Sequence, residues 1–172
     1  MELLNHYKEK IVKYDLINKF TYKNITNIPK LNYIILNFNL KKGETKSLIK
    51  LMSSLKLIVL QDPKITTSKT SNIVFKIRKG QPIGCQLILR NVKMNNFLFK
   101  MLNKILPKIN SKKINNSSLV SFNLNNVLIF EELEYNYQFF KNLPNLSVHI
   151  KFSHCTFEEF CYLLKSYKVI NK

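Results

Sequence analysis

Only three glycines occur in the 172 residues, and two of them, Gly80 and Gly84, stand with Pro82 between two apolar, β-branched runs, Ile73–Lys79 and Cys85–Arg90. Glycine tolerates positive φ and proline presets φ at about −65°, so this punctuation predicts a β-hairpin whose turn is fixed at Gly80–Gly84. The 68 residues from Pro63 to Phe130 around it contain twelve lysines and arginines and no Asp or Glu. A chain that keeps acids out of its middle is suited to lie against a polyanion.

Bulk properties agree. The chain is 45% hydrophobic, enough for one sizeable core, and a single domain over residues 1–172 is expected, with no internal repeat and no splitting linker. The net charge of +18 points to nucleic acid or an anionic membrane surface. No apolar run approaches the roughly 18–20 residues that span a bilayer, so no transmembrane helix is expected. Lys8, Glu9, Lys10 and Lys13 interrupt any secretory signal, and a start without Arg that carries Glu2, Glu9 and Asp15 is unlike a mitochondrial presequence. The expectation is a protein made where it works, or imported by another route. Of 28 basic residues only Arg78 and Arg90 are arginine, and Asn, Ile and Phe abound, the set that AT-rich codons specify. Part of the lysine excess is therefore mutational bias, and the two arginines are the more informative positions.

Along the chain, Leu4, Tyr7, Ile11, Tyr14 and Ile17 form the apolar face of an N-terminal helix over about 3–24. Leu31–Asn39 reads as a strand. A second helix opens near Glu44 or Thr45, buries Leu48, Ile49, Met52, Leu55 and Ile58, and stops at Asp62-Pro63. Lys64–Asn72 is a polar lead into the hairpin, which occupies about 64–91. Met94–Ile109 is a helix with lysines on one side. The Asn/Ser/Lys-rich 110–126 reads as a variable loop or weak strand, and Val127–Phe130 as a short strand. Leu146–Ser153 alternates as a strand, and Thr156 caps a last helix, Phe157–Tyr167. This order predicts an α+β fold, a two-layer domain with helices packed on a mainly antiparallel sheet.

Few residues offer catalysis. His149, His154, Cys155 and Cys161 lack the paired spacing of a zinc site, and Cys85 reads as a core residue. Glu131, Glu132 and Glu134 read as a solvated face or a counter-surface to a basic partner. No phosphate-loop, dinucleotide or metalloprotease motif is present, so neither an enzyme nor a cofactor or metal is expected. Lys76, Arg78, Lys79 and Arg90 on or beside one hairpin, with Phe75 and Gln81 for stacking and hydrogen bonding, point to RNA.

The motifs also carry a resemblance. Leu4-Asn-His-Tyr-Lys-Glu9, Asn27-Ile-Pro-Lys30 and Ile34-Ile-Leu-Asn37 occur in order, then Ile65-Thr66 through Ser71, Phe75-Lys-x-Arg78-x-Gly80-x-Pro82-Ile-Gly-Cys85 and Leu89-Arg90. Leu106-Pro-Lys-Ile109 and Ile129-Phe-x-Glu132-x-x-Tyr135 follow. Over nearly the whole chain this resembles the universal family of large-subunit ribosomal protein five (L5), in its bacterial and organellar form. The resemblance implies a non-enzymatic protein of the ribosomal central protuberance. Its implied partners are large-subunit rRNA, 5S rRNA if present, neighbouring protuberance proteins, a small-subunit head protein across a bridge, and peptidyl-site tRNA approached by the loop Thr66–Val74. With the charge pattern, it marks Lys64, Lys69, Ser71, Phe75, Lys76, Arg78, Lys79, Gly80, Pro82, Gly84 and Arg90 as RNA-binding. Thr67-Ser68-Lys69-Thr70 stands where the family has a more basic run, an Asn/Ser/Lys stretch replaces an Arg/Gly-rich segment before Ile129, and a Met-Gly after Asn37 is missing. These departures and the AT bias imply a mitochondrial ribosome and an organelle-encoded chain. The alternatives are a free-standing organellar RNA-binding or RNA-processing factor, and a basic protein on an anionic membrane.

Overall fold

A computed structural model describes residues 6–40, 45–105, 113–116, 118–153 and 155–167. Helix α1 is π-helical over Tyr7–Val12 and α-helical over Lys13–Lys19. Strand β1 (Leu31–Asn39), helix α2 (Thr45–Val59), and strands β2 (Lys64–Thr67) and β3 (Pro82–Leu89) follow. Helix α3 (Asn91–Lys100) continues as a π-helical Met101–Ile105. Strands β4 (Lys113–Asn116) and β5 (Leu119–Leu124) precede the short helices α4 (Glu131–Glu134) and α5 (Tyr137–Phe140), strand β6 (Leu146–Phe152) and helix α6 (Phe157–Ser166). The six strands form one sheet in the order β2-β3-β1-β6-β5-β4, with antiparallel pairs at both edges. The α+β class expected from the sequence is the class that forms.

The chain divides into two compact units, one of Met1–Ile34, Leu89–Phe122 and His149–Lys172, the other of Ile35–Ile88 and Asn123–Val148. In the first, α6 begins with a capping box: the Thr156 hydroxyl accepts the Glu159 N–H and the Glu159 carboxylate accepts the Thr156 N–H at 2.7 Å. Its buried face carries Phe160, Leu163 and Leu164, and the Phe160 ring meets Phe152 edge-on, centroids 5.5 Å apart. The Tyr7 hydroxyl donates to the Ser166 carbonyl at 3.0 Å and ties α1 to α6.

Two expectations fail at α1. It ends at Lys19 rather than near Asn24, and Phe20 is already extended. Its buried residues are Val12 and Leu16, while Ile11, Tyr14 and Ile17 are exposed; Leu4 lies outside the described residues. A π-helical segment bonds i to i+5 and takes more residues per turn than the 3.6 assumed in reading the period, so the inward face shifts by one position.

In the second unit, α2 buries Leu48, Leu51, Leu55 and Ile58. Ile49, expected inside, is exposed, because the stripe at spacings of three and four passes through Leu51 instead. Ser54 lies in that stripe fully buried, its hydroxyl donating to the Leu51 carbonyl at 2.8 Å. Helix α2 stops where Leu60 takes a left-handed φ of 60°, its N–H donating to the Lys56 carbonyl, and Lys56 pairs with Asp62 at 2.7 Å. Val127–Ile129 is a 3-10 turn, not a strand: the Asn126 side chain accepts the Leu128 N–H and curls the segment. Within the expected variable loop, 113–116 and 119–124 are strands; residues 106–112 and 117 lie outside the described residues.

Candidate nucleic-acid interface

The hairpin exists with a different first arm. Strand β2 pairs with β3 in the register Lys64↔Gln86, Ile65↔Cys85, Thr66↔Gly84 and Thr67↔Pro82, with an irregularity between Thr66 and Thr67. The polar lead is thus the strand, and the apolar run Ile73–Lys79 forms the far end of the connection. Asn72 decides this. Its Oδ1 accepts the N–H groups of Val74 at 3.0 Å and Phe75 at 3.4 Å, turning the chain where β-branched residues alone suggest extension.

Backbone bonds brace the connection 68–81. Ser68 donates to Gln81 and Gly80 donates back to Ser68, both at 2.9 Å. Further out, Asn72 and Ile77 exchange both their bonds, at 2.9 and 3.0 Å. Arg78–Gln81 closes as a turn with Gly80 at φ +83°, the conformation glycine supplies at the third turn position. The Gln81 Oε1 accepts the Arg78 N–H at 3.1 Å inside it. Lys76 holds a left-handed φ of 54°, which an L-residue adopts only at a cost.

The outer turn presents Ile73, Val74 and Phe75 to solvent, 94%, 85% and 69% exposed. Lys69, Ser71, Lys76, Arg78, Lys79 and Gly80 are exposed around it, and Lys64 is exposed on β2. Pro82, half-buried, opens β3. Gly84 differs from the rest: it is buried, and a Cβ there would lie 2.1 Å from the Phe38 carbonyl oxygen. It sets the approach of β3 to β1. Arg90 belongs to the first unit, exposed, its guanidinium 6.0 Å from the centre of the Tyr33 ring. Ten of the eleven sequence-marked residues therefore fall within one unit, and Arg90 does not. Asn72, which shapes the turn, went unmarked; its signal was an Asn placed two residues ahead of the amide it captures.

Burial pushes the Cys85 thiol up to about 12, and burial with the nearby Glu159 carboxylate pushes Cys155 up to about 11. Cys161 is half-buried. Among the described residues no group of three metal-ligating side chains occurs; His154 lies outside them. No described helix is long and apolar enough to cross a membrane. Residues 131–140 form a face of another kind, with Glu131, Glu132 and Glu134 beside exposed Tyr135, Tyr137 and Phe139 and no cation among them.

A family model for the C-terminus of the ribosomal L5 family matches residues 82–170. Large ribosomal subunit protein uL5m of Reclinomonas americana is 34% identical over 99% of this chain and 98% of its own length. Large ribosomal subunit protein uL5 of Clostridium tetani is 39% identical over 77% of the chain and 78% of its length. That of Desulforapulum autotrophicum is 35% identical over 97% of each. The chain belongs to the ribosomal L5 family. It is therefore a structural component of the ribosome.

Proposed function

We propose that this ribosomal L5 family protein is a structural constituent of the large subunit of a mitochondrial ribosome, held in the central protuberance by rRNA. The observation that carries the reading is the connection 68–81: Lys69, Lys76, Arg78 and Lys79 stand exposed on a doubly braced loop, in a stretch free of acids. Bracing before binding lowers the ordering cost of docking, and the cations neutralise phosphates. The exposed Ile73-Val74-Phe75 turn supplies apolar and stacking contact to an unpaired base, including that of a peptidyl-site tRNA. The 131–140 face, acidic and aromatic, suits a basic protein neighbour such as one in the small-subunit head and does not suit RNA. The full-length match to a mitochondrial relative, with the AT-biased composition, supports the organelle.

The test is gradient sedimentation of tagged protein from mitochondrial lysate, with sequencing of the co-purifying RNA. Co-migration with the large subunit and its full-length rRNA is expected, stable in moderately high salt, and an Arg78→Glu/Lys79→Glu variant should incorporate poorly. Protein at the top of the gradient with assorted transcripts would replace this reading with a free RNA-binding factor. Flotation with lipid would replace it with a membrane-surface protein.

A further inference from the structure

A cleft of about 610 Å³ opens in the first unit between α1, the turn Ile28–Lys30 and the end of α6. Its floor is apolar and buried: Val12, Leu16, Ile28, Leu31, Leu163 and Tyr167. Its rim is cationic, with Lys8, Lys10, Lys13 and Lys30, and no acidic side chain lines it among the described residues. Lys8 donates to the Asn95 side chain at 2.9 Å. Tyr14 joins the rim and is 58% exposed, although the helical period assigned it to the core. The π-helical Tyr7–Val12 rotates the helix by one position, and irregularities of this kind recur at functional sites.

Four ammonium groups around an apolar floor, with no carboxylate lining it among the described residues, concentrate positive potential over the cleft. An exposed aromatic ring among such cations is the combination by which proteins hold unpaired nucleic acid, base on ring and phosphate on ammonium. A duplex keeps its base faces stacked and offers none to Tyr14.

We propose that this cleft is a second RNA-docking site, taking a single-stranded segment with phosphates against Lys10, Lys13 and Lys30 and a base on Tyr14. The inference rests on the RNA-binding reading above and extends it to the other unit. Each unit then grips RNA separately, and the covalent connection makes the second contact intramolecular.

The test uses the full chain, a fluorescein-labelled oligouridylate and an RNA duplex of equal length, with anisotropy read across a salt series. Tyr14→Ala should weaken oligouridylate binding about tenfold, and Tyr14→Phe, which keeps the stacking face, should stay within about twofold. Lys10→Gln/Lys13→Gln/Lys30→Gln should lower the slope of log K against log salt by about 2, at about 0.7 per lost phosphate contact. Lys10, Tyr14 and Lys30 are exposed and Lys13 half-buried, and unchanged thermal melting of each variant separates lost contact from lost fold. If Arg78→Gln/Lys79→Gln weakens binding while every cleft variant matches the wild type, this proposal alone fails. If the wild type binds neither RNA, the underlying reading fails with it. Equal weakening of duplex and single strand by Tyr14→Ala would also overturn the stacked base.

Discussion

Replacing Gly84 by alanine places a methyl group 2.1 Å from the Phe38 carbonyl oxygen, 3.1 Å from its carbonyl carbon and 3.2 Å from the Thr66 hydroxyl. Two of those three atoms are backbone, so no rotamer change relieves the contact and the strands themselves must part. Overpacking of this kind costs about 1–3 kcal/mol. The neighbouring bond from the Leu40 N–H to the Ile83 carbonyl, 2.8 Å long, is strained in the same movement, adding about 1 kcal/mol if it is lost. Against this, glycine-to-alanine substitution restricts the unfolded chain and is worth about 0.4–1 kcal/mol where the native backbone accepts it. The net loss is about 2–3 kcal/mol, or roughly 5–10 °C in melting temperature for a chain of this length. Gly80→Ala is the companion: nothing lies within 4 Å of its Cβ, and only the φ of +83° is unfavourable. It should cost about 1–2 kcal/mol. Thermal unfolding followed by circular dichroism ranks the two. Gly84→Ala melting at or above the wild type would refute the steric argument, and Gly80→Ala melting below Gly84→Ala would show that turn conformation outweighs strand approach.

Other perturbations read out single features. Leu60→Gly should stabilise by about 0.5–1 kcal/mol, because the exposed leucine ends α2 at φ 60°, where glycine is at ease; a lower melting temperature would mean the side chain packs. Thr156→Ala removes one half of the α6 capping box and should cost about 1 kcal/mol in urea unfolding, whereas an unchanged midpoint would show the cap idle. Burial raises the Cys85 and Cys155 thiols to about 12 and 11, so both stay protonated at neutral pH and their thiolates gain population only as pH rises. Iodoacetamide at about pH 7.5 should therefore spare Cys85 and Cys155 and label the more accessible Cys161 first, with all three reacting in denaturant. Equal native labelling of Cys85, read by mass spectrometry, would contradict its burial.

Much of the fold was legible because the signals were local. Alternation in Leu146–Ser153, the run Leu31–Asn39 and the Thr156 cap each name an element that forms as read. Two misreadings share a cause. Ile73–Lys79 is β-branched and Val127–Phe130 apolar, yet Asn72 and Asn126 capture backbone N–H groups and curl both segments. At α1 the assumed period was wrong by one residue, which moved Tyr14 and Ile11 from core to surface.

The sequence by itself determined the α+β class, the family and the acid-free cationic stretch in which the hairpin forms. Charge, periodicity and motif order survive without knowledge of any distant contact. Tertiary structure decided which marked residues face outward. Gly84 was marked beside Gly80 as one RNA-binding pair, but it is the Phe38 carbonyl, 46 residues away in sequence, that excludes a side chain at the former. The cleft around Tyr14 likewise joins α1, residues 28–31 and Leu163 and Tyr167 near the other end of the chain, and only folding brings those segments to one place.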